Sequence, residues 1–177
     1  MGSVDERGLL EGARQGDRRA FEELLRPLIE PAYRLAFAML GEREAAEDAV
    51  QEMALKGWRH RGRIRPELGT LRPWFLAIVS NECRMVRRRR WWSVLRFGEP
   101  PERALVGRDL ATRLDLQQAL GRLPYRDRLL LHLYFVLDLP TAEVAQVLGI
   151  SVGAVKSRLH RVTTRLRPDL DPVEVVE

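Results

Sequence analysis

Ser157 and His160 stand three residues apart. On a helix that spacing makes a hydroxyl and an imidazole neighbours, as a nucleophile and its base would need to be. Ser/His pairs of this kind are common on exposed helices, and no catalytic residue is assigned. His60, His132 and His160 are far apart in the chain and none falls in a metal-ligand spacing, so no metal or other cofactor is expected. Cys83 is the one cysteine, which excludes an internal disulfide and a cysteine-rich zinc site. A buried structural thiol is the favoured reading of it over a redox sensor.

The chemistry that the residue types do support is recognition of anions. Thirty Lys+Arg against 25 Asp+Glu give +5, and the pI is near 10.1. Lys56 and Lys156 are the only lysines, so the positive charge is almost all guanidinium. Arginine is suited to bidentate contacts with phosphate and guanine. The densest cluster is "MVRRRRWWSVLRF", Met85 to Phe97, in which four arginines run into two tryptophans without an acidic residue.

A helical period carries these residues, and alternating strand patterns are lacking. Asp17 can cap a helix reaching Leu40, with Phe21, Leu24, Leu25 and Leu28 at helical spacing and Gly41 at its end. Pro27 and Pro31 predict a kink or break inside it. A second helix is expected from about Glu44 to Arg59, burying Val50, Met53, Ala54 and Trp58. Asp48, Gln51, Glu52 and Leu55 form a rim beside that stripe. After the basic loop "HRGRIRPELGT", a third helix starts near Leu71 with Trp74, Ile78 and Met85 inward. It ends in the arginines, and Trp91 and Trp92 open a linker. Helices are expected again at 109–120, 124–137, 141–148 and 151–166.

Within the last two, "TAEVAQVLGISVGAVKSRLHR" has the spacing of a DNA-binding helix-turn-helix. Ala145 is small where two helices cross, Gly149 suits a left-handed turn and Ser151 an N-cap. Val155, Leu159, Val162 and Leu166 then make a single apolar face. Gly153, Ser157, His160, Arg161 and Thr164 point away from it and could reach base edges. Lys156 and Arg158 lie on its flanks, where cations could hold phosphates.

The segments "AFEELL", "YRLA", "AAEDAVQE", Trp58, "LRPWFLAIVSN" and "RRRR", followed by "LGRLPYRDRLLLHLYF" and "AEVAQVLGISVGAVKSRLHR", resemble a sigma factor of bacterial RNA polymerase, in the compact form of the extracytoplasmic-function (ECF) group. The resemblance covers about Asp17 to Leu166. It implies an all-α fold of two small helical domains on a flexible linker: residues 1–92 like sigma region 2, a linker at 93–108, and a region 4-like four-helix domain at 109–177 with an acidic tail.

It also implies roles. Asp48, Gln51, Glu52 and Leu55 would dock on the clamp helices of the polymerase's largest subunit. Ile64, Arg65, Asn81, Arg84, Arg87 and Arg88 would bind and help melt the −10 element. Gly153, Lys156, Ser157, Arg158, His160 and Arg161 would bind the −35 element. An anti-sigma factor is the further partner implied. Ile64 and Leu71 stand where the family often has an aromatic, and Pro140-Thr141 where a Ser-aromatic pair usually starts the helix-turn-helix.

The N-terminus "MGSVDERGLL" lacks the apolar core of a signal peptide, and no apolar run approaches the about 18 residues of a membrane span. A cytoplasmic location is expected. Two other classes stay open on residues alone: a stand-alone helix-turn-helix regulator, and a peripheral membrane protein using "RRRRWW" at an anionic surface.

Overall fold

A computed structural model describes residues 3–64, 71–97 and 120–170, with side chains placed over 6–64, 71–90 and 120–166. All the described secondary structure is helical, and the chain divides into two compact units, Met1–Ala104 and Leu105–Glu177. The expected helix at 109–120 lies outside the described residues except at Leu120. So do Arg65, most of the expected linker, and the acidic tail from Asp171 onward.

Unit 1 holds α1 (Ser3–Gln15), α2 (Arg18–Leu40), α3 (Arg43–Arg59), a 3₁₀ turn (Arg61–Arg63) and α4 (Leu71–Phe97). The periodicity that begins at Asp17 gave no warning of α1. Among its described side chains, Leu10 and Ala13 are the buried ones and pack it on its neighbours. Gly16, at φ 99°, turns the chain into α2. Asp17 caps α2, its carboxylate accepting from the amides of Arg19 at 2.9 Å and Ala20 at 3.3 Å. At the other end Gly41 is left-handed and its amide donates to the Phe37 carbonyl.

Pro27 and Pro31 both lie inside the continuous α2, so the break that the sequence allowed for does not occur. Each proline removes the bond to the carbonyl four residues earlier, at Glu23 and Pro27. Both of those residues are exposed, so water can take the freed carbonyls.

The buried stripe of α3 is Ala46, Ala49, Met53 and Gly57 rather than Val50, Met53, Ala54 and Trp58. Small side chains face inward because backbones cross closely there. An ideal Cβ on Gly57 would sit 2.5 Å from Phe75 Cε1. Trp58 is half-buried, its ring edge-on to Phe21 at 5.3 Å and covered by the Arg61 guanidinium at 4.4 Å.

The inward face of α4 is Leu71, Phe75, Leu76, Val79 and Cys83. Trp74 and Ile78 are half-buried and Met85 is 43% exposed, so the expected inward set is out of phase with the real one. The helix also continues past the arginines, through Trp91 and Trp92 to Phe97, where the sequence reading placed a linker.

Unit 2 contains α5 (Tyr125–Leu131), a π-helical turn (His132–Val136), α6 (Thr141–Leu148) and α7 (Val152–Leu170). Leu123, Leu131, Val162 and Leu166 form a core cluster, joined by the partly buried Leu120 and Leu159. The single helix expected over 124–137 changes pitch at His132. The π turn buries Leu133 and leaves Phe135 61% exposed. Asp138, at φ 50°, then redirects the chain toward α6.

Candidate nucleic-acid interface

In α7 the expected cap and apolar face are both present. Gly149 is left-handed at φ 65° and ends α6. Ser151 Oγ accepts from the Ala154 amide at 3.2 Å and starts α7. Val155, Val162 and Leu166 are buried, and Leu159 is partly so. With that face turned inward, Gly153, Lys156, Ser157, His160, Arg161 and Thr164 are all exposed. No hydrogen bond joins Ser157 to His160; the His160 carbonyl instead accepts from the hydroxyls of Thr163 at 3.1 Å and Thr164 at 2.8 Å. Those two hydroxyls thus bond the helix backbone rather than waiting for a ligand.

Arg158 departs from the expected pattern. Its Nε lies 3.7 Å from Asp127 Oδ1 on α5, with side chains 27% and 16% exposed respectively. It is half-buried and paired, not a free flanking cation. Asp127 is 31 residues upstream and carries no local signal, so sequence reading had no means of finding the pair.

The second basic surface is on α4. Asn81, Arg84, Met85 and Arg88 recur at i, i+3, i+4 and i+7 and all are exposed, as is Arg89. Arg84 Nη2 donates to Asn81 Oδ1 at 2.8 Å, so the amide already has one partner on its own helix. Arg87 is half-buried. Arg90 is turned elsewhere: its two terminal nitrogens donate to both oxygens of Glu42 at 2.9 and 2.6 Å. Glu42 is the N-cap residue of α3 and makes no side-chain cap bond, because its carboxylate is occupied by this fork. Ile64, expected among the DNA contacts, is only 3% exposed. Its side chain belongs to the core of unit 1, where it closes the 3₁₀ turn, and is not on the exposed face with Asn81 and Arg84.

A third surface is acidic. Asp48, Gln51, Glu52 and Leu55 occupy i, i+3, i+4 and i+7 of α3 and are all exposed, Leu55 by 45%. Their neighbour Lys56 reaches Glu82 of α4 at 2.7 Å and Glu52 at 4.0 Å. The rim and the α4 surface therefore meet at one ammonium group.

Cys83, on α4 between Asn81 and Arg84, points into the core. Burial pushes its thiol up from the usual 9.0 to about 12. Among the described residues no group of His, Cys, Asp and Glu side chains could hold a metal ion, and no helix is long and apolar enough to cross a membrane.

Residues 21–93 match the family Sigma-70 region 2, and residues 113–166 match Sigma-70, region 4. The ECF RNA polymerase sigma factor SigL of Mycobacterium tuberculosis is 31% identical over 149 residues, covering 81% of this chain and 84% of that protein. SigE of Mycolicibacterium smegmatis is 32% identical over 164 residues, 86% of this chain; the match spans 63% of that longer protein. Among solved structures, the sigma factor RpoE of Bartonella quintana, in complex with the anti-sigma factor NepR, superposes with a TM-score of 0.72 at 22% identity. That match covers 85% of this chain and 96% of RpoE. CnrH, in complex with the cytosolic domain of CnrY, gives 0.69 at 26% identity over 94% and 97% of the two chains.

Proposed function

The chain belongs to the ECF sigma factors of bacterial RNA polymerase, and from that premise we propose that it binds core polymerase and directs initiation at its own promoters. The observation that carries this reading is the pairing, in one chain, of region 2 and region 4 in the family's order. Each presents a charged helix face that its own core does not use. A stand-alone regulator would have no need of the first unit.

In this reading, Asp48, Gln51, Glu52 and Leu55 dock on the clamp helices of the largest polymerase subunit. Their exposure as one acidic strip ending in a leucine supports that assignment. Asn81, Arg84 and Arg88 take the −10 element, with Arg87 beside them. Extruding a base there costs a few kcal/mol, offset by a polar pocket and phosphate contacts. Gly153, Lys156, Ser157, His160 and Arg161 engage the −35 element. The protein performs no covalent chemistry and acts in the cytoplasm, where its polymerase is. Two structural neighbours are seen with an anti-sigma factor or a partner's cytosolic domain. An anti-sigma factor covering the polymerase-docking and DNA faces is the matching partner here.

Run-off transcription with core polymerase on genomic promoter fragments, followed by start-site mapping, tests the reading. Specific transcripts that depend on this chain are expected. If no fragment gives one, while the chain is folded and the core active, the proposal fails.

A further inference from the structure

The cleft between α5 and α7 has a composition that the base-reading face does not explain. It is about 230 Å³ in volume, and Arg126, Arg158, Arg161 and Arg165 surround a floor that includes Val162 of the core cluster. Asp127 is the only acidic residue lining it. Four guanidinium groups against one carboxylate leave a local charge of +3.

Helix phase separates two sets of residues on α7. Gly153, Ser157, His160 and Thr164 recur at i, i+4, i+7 and i+11. Arg158, Arg161 and Arg165 recur at i, i+3 and i+7, one residue further on, so their stripe is turned about 100° from the first. Arg161, expected with the base readers, also lines the cleft. Arg126 reaches the same place from α5, outside the helix-turn-helix altogether.

The four arginines are not equivalent. Arg158 is half-buried and satisfied by Asp127 at 3.7 Å. Arg126, Arg161 and Arg165 are exposed, and none has a carboxylate partner among the described residues. A free small anion would be held better by buried donors. Exposed guanidinium groups along an open cleft suit a ligand that continues past it in both directions. A nucleic-acid backbone is such a ligand.

We propose that Arg126, Arg161 and Arg165 form a clamp for DNA phosphodiesters, and that Asp127 holds Arg158 out of it as a positioning residue. This rests on the reading that unit 2 binds DNA, and it adds Arg126, Arg165 and Asp127 to that reading. The clamp fixes where the backbone lies relative to α7. It carries no sequence information of its own.

The test uses the full chain, fluorescence anisotropy and salt between 50 and 200 mM. The two probes are a duplex from a mapped promoter and a mixed-sequence duplex of equal length. Each phosphate contact contributes about 0.9 to the salt slope, so over a fourfold change in salt one contact is worth about 3.5-fold in affinity. Arg126→Ala and Arg165→Ala are each expected to lower the slope by about 0.9, equally on both probes, with unchanged thermal midpoints. Arg158→Ala alone leaves the slope unchanged. Asp127→Asn raises it by about 0.9, and adding Arg158→Ala to Asp127→Asn removes that gain. An unchanged slope for Arg126→Ala, or a drop for Arg158→Ala alone, overturns the clamp and leaves the DNA reading standing. Absence of salt-dependent binding by the wild-type chain overturns both.

Discussion

Replacing Gly57 by alanine should destabilise unit 1, although the usual effect of that change in a helix is the opposite. In an exposed helix interior, Gly→Ala gains about 1 kcal/mol. At position 57 the new Cβ would lie 2.5 Å from Phe75 Cε1 and 3.2 Å from Phe21 Cζ. The nearer contact is about 1 Å inside ordinary van der Waals separation. Phe75 is fully buried, with Trp74 at 4.8 Å and Phe21 at 5.9 Å between ring centroids, so its ring has no open side to move into. Either α3 and α4 part or three aromatic rings shift.

Overpacking of this kind costs about 1–3 kcal/mol, and set against the propensity gain it leaves a net loss of up to about 2 kcal/mol. For a unit of this size that is a fall of up to about 16 °C in thermal midpoint. All four tryptophans, Trp58, Trp74, Trp91 and Trp92, belong to unit 1, so tryptophan fluorescence follows its melting separately from unit 2. Gly8 is the control: it lies within α1 and a Cβ there meets nothing within 4 Å. Gly8→Ala should leave the midpoint unchanged or raise it. If Gly57→Ala raises the midpoint as well, the close crossing is not what keeps a glycine there.

Arg90→Ala should lower the stability of unit 1 by about 1 kcal/mol or less, since the fork to Glu42 is part-exposed; it should not change the salt slope of DNA binding, whereas Arg88→Ala should lower that slope by about 0.9. Reversing Asp48 and Glu52 to arginine should weaken core polymerase binding about tenfold, measured by competition for core, with no loss of fold. Cys83 should resist alkylation by iodoacetamide at pH 8.5 in the native chain and react on unfolding, because its thiol is held up at about 12. The same shift gives a pH dependence. The folded chain keeps the proton that the unfolded chain releases, so this contribution to stability is complete below pH 9 and is lost as pH rises toward 12. Denaturant midpoints at pH 8 and pH 11 would measure it.

Local chemistry was legible where one residue type can do one job. Asp17, Gly41, Gly149 and Ser151 were read as caps and turns and act as such, with the amides they serve in place. The apolar face of α7 was equally readable, because a single stripe meets a single core. Burial in α3 and α4 does not follow residue size, so the large apolar residues are a poor guide to the inward face. The tight crossing instead selects Ala46, Ala49 and Gly57 and leaves Trp58 and Met85 partly in water. α1 went unseen because two buried side chains are too few to establish a period. On the candidate site, the exposed residues of α4 and α7 followed from helix geometry. Ile64's burial, Arg90's tie to Glu42 and Arg158's tie to Asp127 did not. Each depends on a partner brought close by tertiary packing, 48 residues away for Arg90.

Lys56 stands between Glu52 on the acidic rim and Glu82, the residue after Asn81. A partner that neutralises Glu52 removes one of the two carboxylates competing for this ammonium and leaves it to Glu82. By thermodynamic reciprocity, whatever that does to DNA affinity on α4, DNA does to partner affinity on α3 by the same factor. Part-exposed ion pairs are worth about 0–1 kcal/mol, so the factor is at most about fivefold. With α3 and α4 in the roles proposed above, occupancy of one surface would be felt at the other through this single side chain.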